Sequence, residues 1–375
     1  MAAHLQRSPV SGQKSPGSLD GTPLPKHTLN LDEPPRMRWE GVMKANKAAT
    51  RRIVAYLFAE LPAAVHAQVD KLVLEAEGRL PQWAVEEMRG VADVLDVNFG
   101  DIVLLNLFFE LTPFCTSIVT QSSSTGHVYH ARNMDFGLGM PVLSENLRDI
   151  AVDVEFFKDG KPAFVITTFA GYIGAATGMR LQGGLFSITA NEREMTGPVP
   201  VPNIFKSIVN MVNALLTTDA FPVTWAVREV LEDNSAAASE SFDAAVSALS
   251  TRPFATQIYL TVGGTTLGQG VVLTRDHNKL LDSWRINATS GGWFLVQTNY
   301  DHWLPMPPWD NRKKPAERAL ADIGADAVTP SSIYKDVLSR DPVLNQLTVY
   351  TTTMSCGEGK YASFVRDCES CSPFR

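Results

Sequence analysis

Residues 113–121 read Pro-Phe-Cys-Thr-Ser-Ile-Val-Thr-Gln, and the pattern of the chain changes at Cys115. From Thr116 onward β-branched and polar residues alternate, which predicts a strand. Before this point, residues 38–111 carry apolar side chains at helical spacing, and Pro113 ends the last helix. Cys115 therefore lies at the junction between a helical segment and a region rich in strands.

The apolar periodicity on both sides of this junction predicts the order of the elements. Helices are expected over 61–80, 83–95, 102–111, three stretches within 203–250, 315–323 and 331–338. Strands are expected over 116–121, 127–132, 150–157, 163–169, 184–190, 257–262, 270–274, 292–297, 347–354 and 361–365. Hairpin spacings dominate, so the fold class is α+β, with two antiparallel sheets and helices on their outer faces.

The composition restricts the partners. The chain has 375 residues, 45% of them hydrophobic, and a net charge of −7. No run of Lys and Arg is long enough to neutralise a series of phosphates, which argues against a nucleic-acid partner. Residues 1–28 lack the apolar stretch of a secretory signal and are predicted to be a disordered tail. The longest apolar stretch, Ile102–Phe109, is too short to span a bilayer.

The four cysteines do not form a disulfide scaffold, because Cys115 is far from Cys356, Cys368 and Cys371 in the chain. Cys368 and Cys371 lie in a short polar tail rather than at the start of a helix. Their spacing favours a local disulfide or free thiols over a redox site.

Cys115 is a candidate nucleophile, although a cysteine at a strand start is usually a small buried apolar residue. None of the seven histidines occurs in a recognisable context for its base. Cleavage of the Phe114–Cys115 bond would supply another base, since a free α-amine has a pKa of about 7.7–8.0. That amine can take the thiol proton and return it to the leaving group, so one residue supplies both nucleophile and base.

A second candidate segment is His-Ala-Arg-Asn-Met-Asp-Phe-Gly, residues 130–137. It follows a predicted hairpin turn at 122–126, which returns it alongside Cys115. Asp135 is then expected to hold the new ammonium, and Arg132 to hold a carboxylate or the acyl oxygen by its planar guanidinium. Taken alone, the same two residues are more typical of a structural ion pair at a strand end.

Three further candidates lie at the ends of predicted elements. Glu192 follows the strand 184–190, and Asn299 closes a strand with an amide that can donate to an oxyanion. Arg312 follows in a polar turn. Each is also typical of an ordinary turn or cap.

Five motifs occur in one order along the chain: C-T-S-I-V at 115–119, H-A-R-N-M-D-F-G at 130–137, F-A-G-Y-I-G at 169–174, N-E-R at 191–193 and Q-T-N-Y-D-H-W at 297–303. Together they resemble the family of acid ceramidase and N-acylethanolamine acid amidase, from about residue 30 to residue 366. The resemblance implies an N-terminal-nucleophile αββα sandwich. It also implies autocleavage, which would release a helical α-chain segment, 29–114, from a β-chain, 115–375.

The resemblance also assigns roles. It makes Cys115 the nucleophile, Glu192 an active-site glutamate and Asn299 an oxyanion-side amide, and it places Arg312 near the same site. The predicted catalytic residues are Cys115, Arg132, Asp135, Glu192, Asn299 and Arg312.

The expected reaction is hydrolysis of the amide of an N-acylated lipid. The segments N-L-D-E-P-P at 30–35 and R-D-C-x-x-C at 366–371 are closer to acid ceramidase. Ceramide, cleaved to sphingosine and fatty acid, is therefore expected first and N-acylethanolamines second. One alternative is a catalytically silent relative that binds lipid. The others are an acyltransferase and a hydrolase of other amides, because water and amines compete for the same thioester.

The chain departs from the resemblance in two ways. No cysteine precedes Cys115, so the two chains are expected to stay together by packing without a disulfide. The resemblance implies a lysosomal or secreted, glycosylated protein, but no signal peptide is visible and the one N-x-S/T sequon is at Asn287.

Other patterns are less informative. His127 and His130 are three residues apart on a strand and point to opposite faces, so zinc is not expected, and no metal or other cofactor is predicted. Residues 303–309, Trp-Leu-Pro-Met-Pro-Pro-Trp, are typical either of a packed loop or of a lipid-facing rim. Transient contact with a membrane or a lipid carrier is expected of such an enzyme.

Overall fold

Two β-sheets face each other at the centre of the protein. The computed structural model describes residues 21–58, 70–71, 73–75, 77–110, 113–136, 141–193, 201–233, 235, 237, 240–287, 292–368 and 370–372. Within these ranges no helix is both long and apolar enough to cross a membrane.

The described part of the chain contains fourteen strands, which build the two sheets. They are β1 (Thr22–Pro23), β2 (Lys26–Asn30), β3 (Pro113–Gln121), β4 (Val128–Phe136), β5 (Ala151–Lys158), β6 (Lys161–Phe169), β7 (Thr177–Arg180), β8 (Ser187–Glu192), β9 (Ile258–Gly263), β10 (Gly270–Arg275), β11 (Leu280–Arg285), β12 (Phe294–Gln297), β13 (Thr348–Ser355) and β14 (Lys360–Val365). One sheet has six strands in the order β1-β14-β13-β4-β3-β12. The other has eight, in the order β11-β10-β9-β8-β7-β6-β5-β2.

Helices cover the outer faces of both sheets. They are α1 (Glu40–Phe58), α2 (Gln82–Leu95), α3 (Phe99–Phe109), α4 (Pro141–Arg148), α5 (Val201–Thr217), α6 (Val223–Glu232), α7 (Ser241–Thr251) and α8 (Lys313–Ile323). Helices α1, α6 and α7 contact the eight-stranded sheet, whereas α8 and the helical turn Ile333–Leu338 contact the six-stranded sheet. The layers are therefore helix, sheet, sheet, helix, and the predicted αββα sandwich is confirmed.

Among the fourteen described strands the pairs are antiparallel with one exception, since β2 runs parallel to β5. Hairpins impose antiparallel pairing on neighbouring strands, as in β3 and β4, whose register pairs Cys115 with Met134. No hairpin joins β2 to β5, so nothing in the connection constrains its direction.

The predicted tail boundary at residue 28 is wrong, because residues 22–23 and 26–30 form strands. These strands carry little alternation, and it is pairing with β14 and β5 that orders them. Residues 1–20 of the predicted tail lie outside the described residues, as does most of the predicted helix 61–80.

The prediction also omitted β7, β11 and α4. Strand β7 contains Gly178, where an added Cβ would lie 2.5 Å from Leu231 Cδ1 of α6. Close packing against the helix therefore requires glycine at position 178, and glycine weakens the sequence pattern that predicts a strand.

Candidate active site

Cys115 is the third residue of β3, and its side chain is fully buried between the two sheets. Its main-chain N–H donates to Asn299 Oδ1 at 2.8 Å. Its Sγ lies 3.7 Å from Met134 Sδ on the neighbouring strand. The nitrogen and the sulfur of one residue thus face different polar partners.

Arg132 holds the sulfur. It is two residues from Met134 on β4, and a strand places such residues on one face. Its Nη2 donates to Cys115 Sγ. Its Nη1 donates to the carbonyl of Ala176 at 2.7 Å and to Thr177 Oγ1 at 2.8 Å. Buried Arg132 Nε has no hydrogen-bond partner among the described residues.

Arg312 organises the other side of Cys115. The side chain is buried, and it donates to Asp135 at 2.7 Å, to Asn299 Oδ1 at 2.8 Å and to Asp310 at 2.8 and 2.9 Å. Burial lowers the pKa of the Arg312 guanidinium, but the carboxylates of Asp310 and Asp135 outweigh burial and raise it. The cation is held by two buried carboxylates.

Asn299 connects Arg312 to the nucleophile. Both groups at its Oδ1, the N–H of Cys115 and the guanidinium of Arg312, are donors, so the amide oxygen must face them. Its Nδ2 donates to the main-chain carbonyl of Glu192 at 2.8 Å. Asn299 therefore accepts from the Cys115 nitrogen in the intact chain, and its donation to an oxyanion stays a prediction.

The Asp135 carboxylate is not the acceptor of the Cys115 main-chain N–H, which donates to Asn299. It is three residues from Arg132, so the two side chains leave opposite faces of β4. Its carboxylate accepts from Arg312, from Thr348 Oγ1 at 2.6 Å and from Asn345 Nδ2 at 3.0 Å. In the intact chain Asp135 is connected to the Cys115 nitrogen through Arg312 and Asn299, and its contact with a free amine stays a prediction.

Glu192 ends β8, and its main chain lies beside Asn299. The next residue, Arg193, makes a two-fold ion pair with Asp301, with both distances 2.7 Å. Tyr259 also donates to Asp301 at 2.8 Å. The N-E-R and N-Y-D motifs are therefore joined directly, which fixes the loop that carries Asn299.

Asp310 and Thr177 are site residues that the sequence did not indicate. Asp310 binds Arg312 and accepts from the main-chain N–H of Asn299 at 3.2 Å. Its place two residues before Arg312 was the available signal. No sequence pattern indicates Thr177, because it meets Arg132 only where the two sheets pack face to face.

Burial raises the pKa of the Cys115 thiol to about 11, although Arg132 and Arg312 act to lower it. The thiol is therefore neutral in the intact chain at neutral and acidic pH. His130 does not serve as its base: its ring nitrogens contact Ser187 Oγ at 2.9 Å and Thr189 Oγ1 at 3.0 Å. Burial, with Arg132, lowers the pKa of His130 to about 3.

An apolar pocket lies beside the sulfur. Its lining is Met134, Phe136, Thr167, Thr168, Phe169, Tyr172, Ala176 and Tyr350. Met134 belongs both to this lining and to the surroundings of Cys115 Sγ.

Two predicted features lie away from the site. Asn287 is exposed, and the rest of its sequon, 288–289, lies outside the described residues. Cys368 and Cys371 form a disulfide in the C-terminal tail.

Two facing sheets between helices, with the candidate nucleophile near the start of a central strand, are the arrangement of N-terminal-nucleophile hydrolases, and the chain belongs to that class. A family model described as the beta subunit of N-acylethanolamine-hydrolyzing acid amidase matches residues 22–80. The solved structure of the Caenorhabditis elegans N-acylethanolamine-hydrolyzing acid amidase ortholog matches with a TM-score of 0.55 and 30% identity, over 67% of this chain and 100% of that chain.

Curated relatives define the family. N-acylethanolamine-hydrolyzing acid amidase of Mus musculus is 37% identical over 96% of this chain and 93% of its own length. Acid ceramidase of Balaenoptera acutorostrata scammoni is 35% identical over 92% of this chain and 87% of its own length. The chain belongs to this family of amide hydrolases, as the motifs predicted.

Proposed function

We propose that the chain is a self-cleaving cysteine amidase that hydrolyses the amide bond of an N-acylated lipid. The observation that carries the proposal is the separation of partners at Cys115. Its nitrogen is held by Asn299 Oδ1 and its sulfur by Arg132. Such an arrangement suits a residue that works as nucleophile and base together, because each function has its own support.

The first step is cleavage of the Phe114–Cys115 bond. The Cys115 sulfur attacks the Phe114 carbonyl carbon, the carbon–nitrogen bond breaks, and the thiol proton moves to the departing nitrogen. Water then hydrolyses the thioester, which gives a Phe114 carboxylate and restores the thiol. The new amine forms at an atom that already has an acceptor in Asn299.

In turnover, the amine takes the thiol proton and the thiolate attacks the substrate carbonyl. The proton passes to the leaving amine as the carbon–nitrogen bond breaks, and water hydrolyses the acyl thioester. The positive charge of Arg132 favours both the thiolate and the negative oxygen of the tetrahedral intermediate. The side chains beside the sulfur, Met134 among them, are largely apolar, which favours an apolar substrate.

The two chains would stay together through buried bonds across the cut. Glu87 of α2 forms a buried two-fold ion pair with Arg228 of α6, at 2.5 and 2.7 Å. Glu110, just after α3, accepts from the main-chain N–H groups of Val223 and Thr224 at 2.9 and 3.1 Å. Its carboxylate thus caps the start of α6, where a negative charge is favourable.

The substrate that we propose first is ceramide, with N-acylethanolamines second. The two named groups of relatives are almost equally similar to the chain, at 35% and 37% identity. The preference therefore rests on the acid-ceramidase-like motifs. The names of both relatives contain the word acid, which supports work in an acidic compartment such as the lysosome. Exposed Asn287 is then a site for glycosylation.

Incubation of the purified protein at mildly acidic pH tests the proposal. We expect two fragments on a denaturing gel, an intact mass that places the cut before Cys115, and release of fatty acid from fluorescent ceramide or a fluorescent N-acylethanolamine. Cys115→Ala is expected to stay uncut and inactive. Cys356→Ala, which removes the other buried free thiol, is the matched control and is expected to behave as the wild type.

A chain that stays intact and hydrolyses nothing, with Cys115→Ala indistinguishable from wild type, would instead establish the silent lipid-binding alternative. Hydrolysis by an uncut chain would show that the amine is not the base.

A further inference from the structure

An exposed apolar surface lies next to the site. Of the nine large apolar side chains that are exposed among the described residues, five belong to β11 or to residues 303–306. Trp303 is 48% exposed, Leu304 43% and Met306 39%. We call residues 303–309 the Trp303 loop. Three such side chains within four residues form a patch rather than scattered surface apolar residues.

The loop is attached to the active site at both ends. It begins shortly after Asn299, which holds the Cys115 nitrogen, and after Asp301, which binds Arg193. It ends at Asp310, which binds Arg312. The patch is therefore at most a few residues from the site along the chain in either direction.

Side-chain contacts fix the base of the loop, and they hold its apolar tip at the surface. The ring of His302 stacks on Trp284 of β11, with centroids 4.1 Å apart and an interplanar angle of 9°. His302 Nε2 lies 3.0 Å from Asp282 Oδ2. Lys313 Nζ, at the start of α8, lies 5.1 Å from the Trp284 ring. Trp303 packs edge-on against His302, at 4.9 Å between centroids.

Exposed cations lie on the two elements that support the loop, the strand β11 region and helix α8. Lys279 immediately precedes Leu280, and Lys314 and Arg318 lie one turn apart on α8. Trp at the boundary between water and lipid, with Lys and Arg beside it, is the composition that binds anionic bilayers. Locally, this face is suited to a negative surface although the whole chain has a net charge of −7.

We propose that the Trp303 loop, with Leu280 and the cations Lys279, Lys314 and Arg318, docks the enzyme on an anionic lipid bilayer. The proposal rests on the proposed function, since a lipid amide must leave a bilayer to reach Cys115. Docking here places the membrane beside the loop that carries Asn299. Burial of the apolar tips supplies affinity, and the cations supply the preference for anionic lipid.

Co-flotation of the full protein with vesicles tests this directly. The vesicles are phosphatidylcholine alone or with phosphatidylserine, at neutral and at mildly acidic pH. The variant is Leu304→Ser/Met306→Ser, and the matched control is Met37→Ser/Leu267→Ser, two exposed apolar side chains elsewhere. We expect the loop variant to bind anionic vesicles at least about tenfold more weakly, since two apolar side chains leave the lipid. The control is expected to bind as wild type.

Two further measurements separate the contribution of the cations from the insertion of Trp303 into the bilayer. Lys279→Gln/Lys314→Gln is expected to weaken binding to the phosphatidylserine vesicles and to leave the weaker binding to neutral vesicles unchanged. Brominated lipids are expected to quench Trp fluorescence in wild type, and to quench it much less in Trp303→Ser.

Equal vesicle binding by the loop variant and wild type would overturn the proposal. So would a wild type that binds no vesicles and needs an added lipid-transfer protein to hydrolyse a vesicle-borne lipid, because the occupant would then be a protein. A wild type that binds vesicles through the loop but hydrolyses no amide would overturn the proposed function and leave the docking surface standing. On a short-chain soluble amide the loop variant is expected to match wild type.

Discussion

Two buried arginines lie on either side of Cys115, and their surroundings differ. Arg312 has two carboxylates, Asp135 and Asp310, and an amide oxygen. Arg132 has a thiol, a carbonyl and a hydroxyl, and its Nε has no partner among the described residues. Removal of a cation from two buried carboxylates leaves both without compensation, whereas a cation left short of anions favours negative charge that develops beside it. We propose from this difference that Arg312 mainly supports the fold and that Arg132 acts in the reaction.

The same substitution at both positions tests that difference, and the larger effect is expected at Arg312. Arg312→Met leaves the carboxylates of Asp135 and Asp310 buried without their cation. We expect the free energy of unfolding to fall by about 3–5 kcal/mol. Urea denaturation of wild type and variant measures it. A loss below about 1 kcal/mol would show that the ion pairs are not structural.

Arg132→Met is expected to act on the reaction instead. Both the appearance of the two fragments and the hydrolysis of lipid amides should slow by about 100- to 1000-fold, as when an oxyanion donor is removed. The free energy of unfolding should change by less than about 2 kcal/mol, because no carboxylate loses its partner. Gel densitometry and urea denaturation on the same sample give both numbers. Strong destabilisation with unchanged activity would reverse the two roles.

The polar contacts behind Arg132 lead to a titratable group. Thr167 Oγ1 donates to Asp153 at 2.7 Å, and burial raises the pKa of Asp153 to about 6. Since an unfolded Asp has a pKa of about 3.9, this proton stabilises the fold below about pH 4, and the contribution is lost as pH rises through about 6. The loss amounts to about 3 kcal/mol.

Asp153→Asn should therefore flatten the fall in stability between pH 4 and pH 7. Urea denaturation at several pH values, wild type against variant, measures the difference. Two parallel stability profiles would show that Asp153 titrates normally.

The smallest effect is expected at Tyr350, which supports Arg132 through Thr177. A guanidinium has no acceptor, so Thr177 Oγ1 accepts from Arg132, and the same oxygen shares a hydrogen bond with the Tyr350 hydroxyl at 3.0 Å. Loss of one such hydrogen bond in Tyr350→Phe should lower kcat by about three- to tenfold with KM unchanged. Tyr361→Phe removes a hydroxyl that contacts Thr167 instead, and serves as the control. Equal losses of kcat in both variants would show that the contact through Thr177 does not support Arg132.

Local sequence patterns were enough to predict many of the strands and several of the residues at the candidate site. Alternation predicted β3 and β4, and motif order brought Cys115, Arg132, Asn299 and Arg312 into one hypothesis. What failed depends on contacts between distant segments. Strand β7 fits under α6 only because of Gly178, and β2 is ordered by its pairing with β5.

The orientation of side chains was harder still to predict. The two-residue period of a strand already separates Arg132 from Asp135, and the structure shows that consequence. The direction of the Asn299 amide follows from the donors around it, which no sequence pattern contains. Asp310 became visible only once Arg312 was seen to bind it.

The short segment from residue 22 to residue 30 borders both sheets at once. Strand β1 covers β14 at one edge of the six-stranded sheet, and β2 covers β5 at one edge of the eight-stranded sheet. Recombinant production of residues 115–375 alone would uncover both edges, and bare strand edges lead to aggregation. Fragment complementation with residues 21–114 is therefore the route to a reconstituted enzyme, and the segment behaves as a built-in folding partner.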